Sequence, residues 1–241
     1  MSVSGSSSGT FPQRESAQTT WAVLVAAGLG SRLGGDRPKA FAALGGRPLL
    51  AESLERLDHS DWIDAIVVAA PPEWEEPAIL LAEELVASKV SAVVTGGATR
   101  TESVRLALVE VPDEALAVLV HDAARPFVDD DIVERLVSRL AEGVDGVVPG
   151  LGIHDTVRRV ENGLTVETID RKGLVAIQTP QVFLADRLRA AYRATELDAT
   201  DCASLVEQNG GRVAVVDGDP RLFKVTTAED LALAERLREP S

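Results

Sequence analysis

The run Val23-Leu24-Val25-Ala26-Ala27 breaks directly into Gly28-Leu29-Gly30-Ser31-Arg32-Leu33-Gly34, and Pro38-Lys39 follows. An apolar, β-branched run of this length predicts a buried strand. Glycines without a Cβ let backbone N–H groups approach an anion closely. Arg32 and Lys39 add positive charge that amides cannot supply, and Pro38 fixes the backbone that presents Lys39. The pattern predicts a triphosphate site at the end of a first β-strand. It is not a Walker A loop, because the G-x-x-x-x-G-K-[ST] spacing is absent. Nor is it a clean dinucleotide fingerprint: Leu33 stands where the third Gly or Ala belongs, and the region Leu49–Glu55 reads as helix rather than as a second strand ending in an acid. Taken alone, the loop also fits a tight strand-to-helix turn that uses glycine for geometry only.

The chain around this loop is long enough for one α/β domain. It has 241 residues, of which 45% are hydrophobic. With 38 acids against 24 bases its formal charge is −14, a field that repels nucleic acid and anionic lipid. A phosphate ligand must therefore be drawn by a local basic cluster. The single Cys202 excludes a disulfide framework within the chain and suits a reducing cytoplasm. No apolar run approaches the roughly 20 residues that span a bilayer, and the N-terminus lacks the apolar centre of a signal peptide.

Residues 1–19 are rich in Ser, Gly, Thr and Gln, with too little apolar surface to offset ordering, and read as a disordered leader. From there on strand patterns alternate with helical ones. Strands are predicted at 21–26, 65–70, 90–95, 116–121, 145–149, 174–178 and 212–216; helices at 48–58, 74–88, 100–110, 130–142, 184–197, 201–209 and 228–238. This rhythm predicts βαβ units over residues 20–241: one Rossmann-like, doubly wound, mostly parallel sheet with helices on both faces. Ligands bind such sheets beyond the carboxyl ends of the strands, where the glycine loop and the His121-Asp122 turn both fall. Residues 153–172 break the rhythm. Two β-prone stretches flank Glu161-Asn162-Gly163, a strong hairpin signal, and predict a protruding β-hairpin arm. An isolated hairpin is marginal in water, so the arm is expected to pack on something.

Ala26-Ala27-Gly28-x-Gly30-x-Arg32 followed by Pro38-Lys39 resembles the signature of the sugar nucleotidyltransferases. Val120-His121-Asp122-Ala123-Ala124-Arg125-Pro126 and Gln178-Thr179-Pro180-Gln181 resemble one branch, the 2-C-methyl-D-erythritol 4-phosphate cytidylyltransferases, and the matches run in family order from about Val23 to Leu233. The resemblance implies transfer of the cytidylyl group of CTP to a polyol phosphate, pyrophosphate release, Mg²⁺ as cofactor, and a homodimer interlocked through the β-arm.

Both reactants in such a transfer are anionic, so the protein must chiefly position them and stabilise charge on the α-phosphoryl oxygens and leaving pyrophosphate. Arg32 and Lys39 are the candidates for that role, and the resemblance makes them the catalytic pair. It assigns the nucleotide to Ala26, Ala27, Gly28, Gly30, Gly96, Arg100, Ser103, Asp122, Ala123 and Lys224, the last of which also matches the remaining cation near the second phosphate. The polyol phosphate falls to Arg125, Thr156, Arg171 and Thr179, with Thr156 and Arg171 on the arm and hence reaching the neighbouring protomer's site. Asp122 ends an apolar strand, where a carboxylate can accept a ribose hydroxyl or help hold Mg²⁺. Arg125 would orient Asp122 or bind the polyol phosphate. A phosphate monoester is already ionised near neutral pH, so His121 is read as a packing or orienting residue and not as a base. Gly96-Gly97-Ala98-Thr99-Arg100-Thr101-Glu102-Ser103 resembles the cytosine-reading segment, with Ala98 where the family usually has Asp; an ordinary helix cap is its other reading. Asp201-Cys202 stands where the family has Asp-Glu, and Asp201 is expected to keep a structural role. Thr227 with Asp230 reads as a helix start close to a capping box. Three rivals stay open: a ribitol-5-phosphate cytidylyltransferase, a nicotinamide-binding oxidoreductase, and a non-catalytic nucleotide-binding regulator.

Overall fold

The computed structural model describes residues 19–28, 37–193 and 201–238. The predicted leader therefore falls, apart from residue 19, outside the described residues, as do Gly30 and Arg32. In chain order the strands are β1 (Thr20–Val25), β2 (Ala43–Leu44), β3 (Arg47–Pro48), β4 (Ala65–Ala70), β5 (Val90–Thr95), β6 (Ala117–Asp122), β7 (Gly146–Gly152), β8 (Val157–Glu161), β9 (Leu164–Ile169), β10 (Val175–Ile177), β11 (Gln181–Leu184) and β12 (Val213–Asp217). The α-helices are α1 (Leu49–His59), α2 (Glu75–Glu84), α3 (Arg100–Ala107), α4 (Asp130–Leu140), α5 (Ala185–Tyr192), α6 (Cys202–Gln208) and α7 (Ala228–Leu237).

The main sheet runs β10-β7-β11-β6-β1-β4-β5, with β12 on the other side of β7. β5, β4, β1 and β6 are mutually parallel. β11 lies antiparallel between β6 and β7, and β12 is parallel to β7. Strand order reverses at β1, whose two neighbours are β4 and β6, so the crevice beyond the carboxyl ends of β1 and β6 is the topological switch point of the sheet. Val25 is in register with Asp122 across that point.

Strand alternation explains the two layers of core. Ala22 and Leu24 of β1, Ile66 and Val68 of β4, and Leu119 of β6 pack on α1, α2 and α4. Their neighbours Val23, Val67, Ala69, Val118 and Val120 pack on α3, α5 and α6. Strands buried on both faces must be apolar at every position, which is why β4 reads Ala-Ile-Val-Val-Ala-Ala. Helix starts follow side-chain chemistry: Asp129 accepts from Ile132 N (3.1 Å) at α4, and Thr227 and Asp230 form the full capping box of α7.

The hairpin prediction holds. Among the described residues β8 and β9 pair only with each other, in their own sheet, and Asn162 and Gly163 sit at φ 50° and 79°, the left-handed pair that a two-residue turn needs. Strand β11 and the two-residue strands β2 and β3 were not predicted. Val182 and Phe183 of β11 are fully buried, but Pro180 and the brevity of the run hid them between a predicted strand and helix.

Candidate active site

Three backbone bonds draw the strand ends together, and a fourth closes the turn after β6. Ala26 N donates to Ala69 O (2.9 Å), Gly96 N to Ala70 O (2.7 Å), Ala123 N to Val25 O (3.0 Å) and Arg125 N to Asp122 O (2.9 Å). A Cβ on Gly96 would lie 2.2 Å from the Ala27 Cβ and 3.1 Å from Ala70 O, so only glycine lets the two glycine turns touch.

Asp122 is the centre. It stands two residues beyond Val120 on the face of β6 that meets α3 and α6. Its Oδ1 accepts from Arg100 Nε at 2.8 Å and its Oδ2 from Lys224 Nζ at 2.7 Å. The carboxylate is buried, whereas the Lys224 side chain is 41% exposed and the Arg100 side chain 21%. Burial works against the Asp122 charge, but the two cations outweigh it and hold the carboxyl far below the usual range. Arg100, similarly opposed by burial, is stabilised as a cation by Cys202 and Asp122.

The backbone of Asp122 is braced from behind. Its N–H donates to Thr179 Oγ1 (3.1 Å), which in turn lies 3.3 Å from His121 Nδ1. His121 Nε2 lies 3.0 Å from Arg125 O. The carbonyl can only accept, so Nε2 carries the proton and Nδ1 accepts from the Thr179 hydroxyl. His121 is fully buried, and burial pushes its pKa down to about 4. Both ring nitrogens are engaged and the imidazole is neutral, which agrees with an orienting role. Arg125 donates through Nη1 to Leu222 O, and its Nε is buried without a partner among the described residues. Of the two roles expected for Arg125, orienting Asp122 is not carried by any hydrogen bond between the two side chains among the described residues. Thr179 is 5% exposed and spends its hydroxyl on Asp122 and His121.

Lys39 opens a 3-10 turn, Lys39–Phe41, directly after Pro38, and is half-buried. Its charge reaches Asp230 of the α7 capping box. The Gly96–Ser103 turn is a helix cap. Thr99 accepts from Glu102 N (3.0 Å), Glu102 Oε2 accepts from Ala98 N (2.8 Å), and Ser103 Oγ accepts from Gly97 N (3.1 Å). Any base reading by these amides must displace bonds the turn already makes. Thr156 and Arg171 are exposed on the arm segment, Arg171 reaching Ile153 O at 3.4 Å, and neither joins the Asp122 cluster of its own chain. Asp201 caps α6 through Ser204 N (3.0 Å) and accepts from Gln181 Nε2 (2.9 Å), the structural role expected of it. Two residues of the cluster were not read as part of the site: Cys202 stood out only as a departure from the family motif, and Tyr192 not at all. Cys202 meets Arg100, and Tyr192 meets Cys202, only because α5, α6 and α3 share one face of the sheet.

Both Asp122 oxygens face cations, and among the described residues no group of three or more His, Cys, Asp or Glu side chains could hold a metal ion. A divalent cation at this carboxylate would have to take most of its ligands from substrate phosphates.

Comparison with known proteins shows the family. Residues 20–239 match the family model described as "IspD: 2-C-methyl-D-erythritol 4-phosphate cytidylyltransferase". A 2-C-methyl-D-erythritol 4-phosphate cytidylyltransferase of Nocardia farcinica is 47% identical over 217 residues, covering 90% of this chain and 92% of the relative. The crystal structure of 4-diphosphocytidyl-2C-methyl-D-erythritol synthase from Anaerococcus prevotii superposes with a TM-score of 0.80 at 26% identity, covering 92% of this chain and 96% of that one. The cytidylyltransferase structure from Thermus thermophilus gives 0.73 at 35% identity, covering 89% and 96%. A strand order that reverses beside a cation-clamped aspartate, and a family match over nearly the full described length, lead to one statement: the chain belongs to the 2-C-methyl-D-erythritol 4-phosphate cytidylyltransferase family.

Proposed function

We propose that this protein transfers the cytidylyl group of CTP to 2-C-methyl-D-erythritol 4-phosphate, giving 4-CDP-2-C-methyl-D-erythritol and pyrophosphate for isoprenoid precursor synthesis. An oxygen of the phosphate monoester attacks the α-phosphorus of CTP, and the bond to the β-phosphate oxygen breaks as pyrophosphate leaves. The monoester is ionised near neutral pH, so no general base is required. What the protein supplies is charge placed in advance. The supporting observation is the meeting, at the switch point of the sheet, of the Ala26–Gly28 turn, the Gly96 turn and the Asp122–Arg100–Lys224 cluster.

Lys39 and Arg32, assigned from the family signature, are the residues that steady the crowded α-phosphorus. Asp122 is the carboxylate available to a Mg²⁺ ion, which when bound supplies Lewis-acid neutralisation of the triphosphate oxygens. Lys224 and Arg125 meet the polyol phosphate. The arm supports a homodimer. Val160, Leu164 and Val166 are 57%, 72% and 52% exposed on a hairpin that pairs with no other strand among the described residues. A second subunit would cover that surface, and Thr156 and Arg171 would complete the partner's site. Action in the cytoplasm is consistent with one unpaired cysteine and with the lack, among the described residues, of a helix long and apolar enough to cross a membrane.

Pyrophosphate release from CTP with methylerythritol phosphate and, separately, with ribitol 5-phosphate tests the reading. Turnover with the first is expected. Turnover with ribitol 5-phosphate alone would transfer the chain to the rival substrate.

A further inference from the structure

Arg100 touches the site through a single atom. Its Nε donates to Asp122 Oδ1, while Nη2 is buried without a partner among the described residues. A planar guanidinium held at one point can pivot about that bond. The second fixed point is a sulfur: Nη1 lies 3.4 Å from Cys202 Sγ, and on the far side of the same sulfur the Tyr192 hydroxyl lies at 3.2 Å. Arginine only donates, so the sulfur is the acceptor in the first contact, whichever of thiol and phenol donates in the second. Burial, with Cys202 next to it, raises the Tyr192 pKa, so the phenol keeps its proton. Cys202 is fully buried and Tyr192 nearly so. A cysteine that merely filled space would be expected to face carbon, but this one has a guanidinium on one side and a hydroxyl on the other.

We propose that Cys202 is a positioning residue for the nucleotide site: backed by Tyr192, its sulfur sets the plane of the Arg100 guanidinium, and Arg100 in turn aims the Asp122 carboxylate. The proposal rests on the assignment of Asp122 and Arg100 to the nucleotide. It locates the effect in nucleotide binding, because the polar contacts of Cys202 among the described residues are Arg100 and Tyr192. Removing the acceptor leaves two Arg100 nitrogens unpaired and lets the carboxylate wander. Replacing sulfur by another acceptor keeps the relay.

The test measures CTP affinity by calorimetry, together with KM and kcat, for Cys202→Ala, Cys202→Ser and Tyr192→Phe. Cys202→Ala is expected to raise both the CTP Kd and KM about tenfold, one lost hydrogen bond to a charged group, while kcat changes less than threefold. Cys202→Ser should recover most of the affinity, and Tyr192→Phe should weaken it two- to threefold. Simple space-filling predicts instead that Ala and Ser lose thermal stability without any difference in CTP affinity between them, and that outcome overturns the proposal. So does a fall in kcat at unchanged KM. If Cys202→Ala does not fold, Tyr192→Phe, which removes one oxygen, decides: an unaltered CTP Kd refutes the relay. Wild-type protein that binds CTP but turns over no polyol phosphate would overturn the reaction assigned above and leave the binding comparison intact.

Discussion

His121 makes the stability of this protein depend on pH in a window that its carboxylates do not reach. The imidazole is fully buried, with both nitrogens committed, and its pKa falls from the ordinary 6.5 to about 4. A base with a depressed pKa in the folded state binds its proton more readily when unfolded. Stability is therefore complete above the unfolded value and is lost as pH falls from about 6.5 towards 4. Over the full window the loss is about 3 kcal/mol, and some 2 kcal/mol of it is gone by about pH 5. Carboxylates with lowered pKa values, among them Asp122, Asp219 and Glu75, contribute stability that persists until pH falls below their ordinary values of 3.8 or 4.5. The other two histidines, His59 and His154, lie on the surface. Urea unfolding at about pH 7.5 and about pH 5 should show wild-type protein losing about 2 kcal/mol, and His121→Gln, which can still donate and accept, losing well under half of that. Equal losses in the two proteins would refute the claim that a neutral His121 braces the Asp122 turn.

Three further outcomes follow from the site. Gly96→Ala sets a methyl 2.2 Å from the Ala27 Cβ, so it should lower stability by about 1–3 kcal/mol in a thermal melt, and Ala27→Gly in the same chain should restore part of it. Lys39→Ala should cut kcat by about a hundredfold or more while the CTP KM moves less than tenfold; equal changes in both would contradict a role confined to the transition state. Mixing Arg171→Ala with Lys39→Ala subunits should recover about a quarter of wild-type activity if each site is built from two chains, since random pairing makes half the dimers mixed with one intact site apiece. No recovery on mixing would mean that each site is complete within one chain.

The elements that the sequence made legible are those with local causes. Strands buried on both faces carry unbroken apolar runs, capped helices begin at Thr99, Asp129, Asp201 and Thr227, and Asn162-Gly163 needs no tertiary contact to turn. Strand β11 escaped because a four-residue run beside Pro180 becomes a strand only when β6 and β7 flank it. Within the site, Asp122 was visible as an acid ending an apolar strand. Its partners Arg100 and Lys224 were visible only as motif members, not as the two arms of one clamp, because they are brought in from helix α3 and from the segment before α7. The Thr179–His121–Arg125 brace was legible only in part. The residues were singled out, but a hydroxyl expected to face substrate turns out to hold the backbone of Asp122.

The clamp on Asp122 bears on the metal as well. A carboxylate whose two oxygens lie 2.8 Å and 2.7 Å from a guanidinium and an ammonium keeps a spare lone pair on each oxygen, but the two positive charges repel a divalent ion until one of them moves. The two cations are unequal: the Arg100 side chain is 21% exposed and pinned by Cys202, whereas Lys224 is 41% exposed and ends on a flexible stem. If Asp122 holds Mg²⁺ beside the triphosphate, Lys224, the more exposed of its two partners, would be the one to give way, and its ammonium would then be available to the second substrate's phosphate. Lys224→Gln should accordingly lower the Mg²⁺ concentration giving half-maximal rate, by removing both a competitor for Oδ2 and a repelling charge, while raising the KM for the polyol phosphate. A rate that becomes less sensitive to the polyol phosphate but needs the same Mg²⁺, or more, would place the metal away from Asp122 and leave Arg100 and Lys224 as its permanent counter-ions.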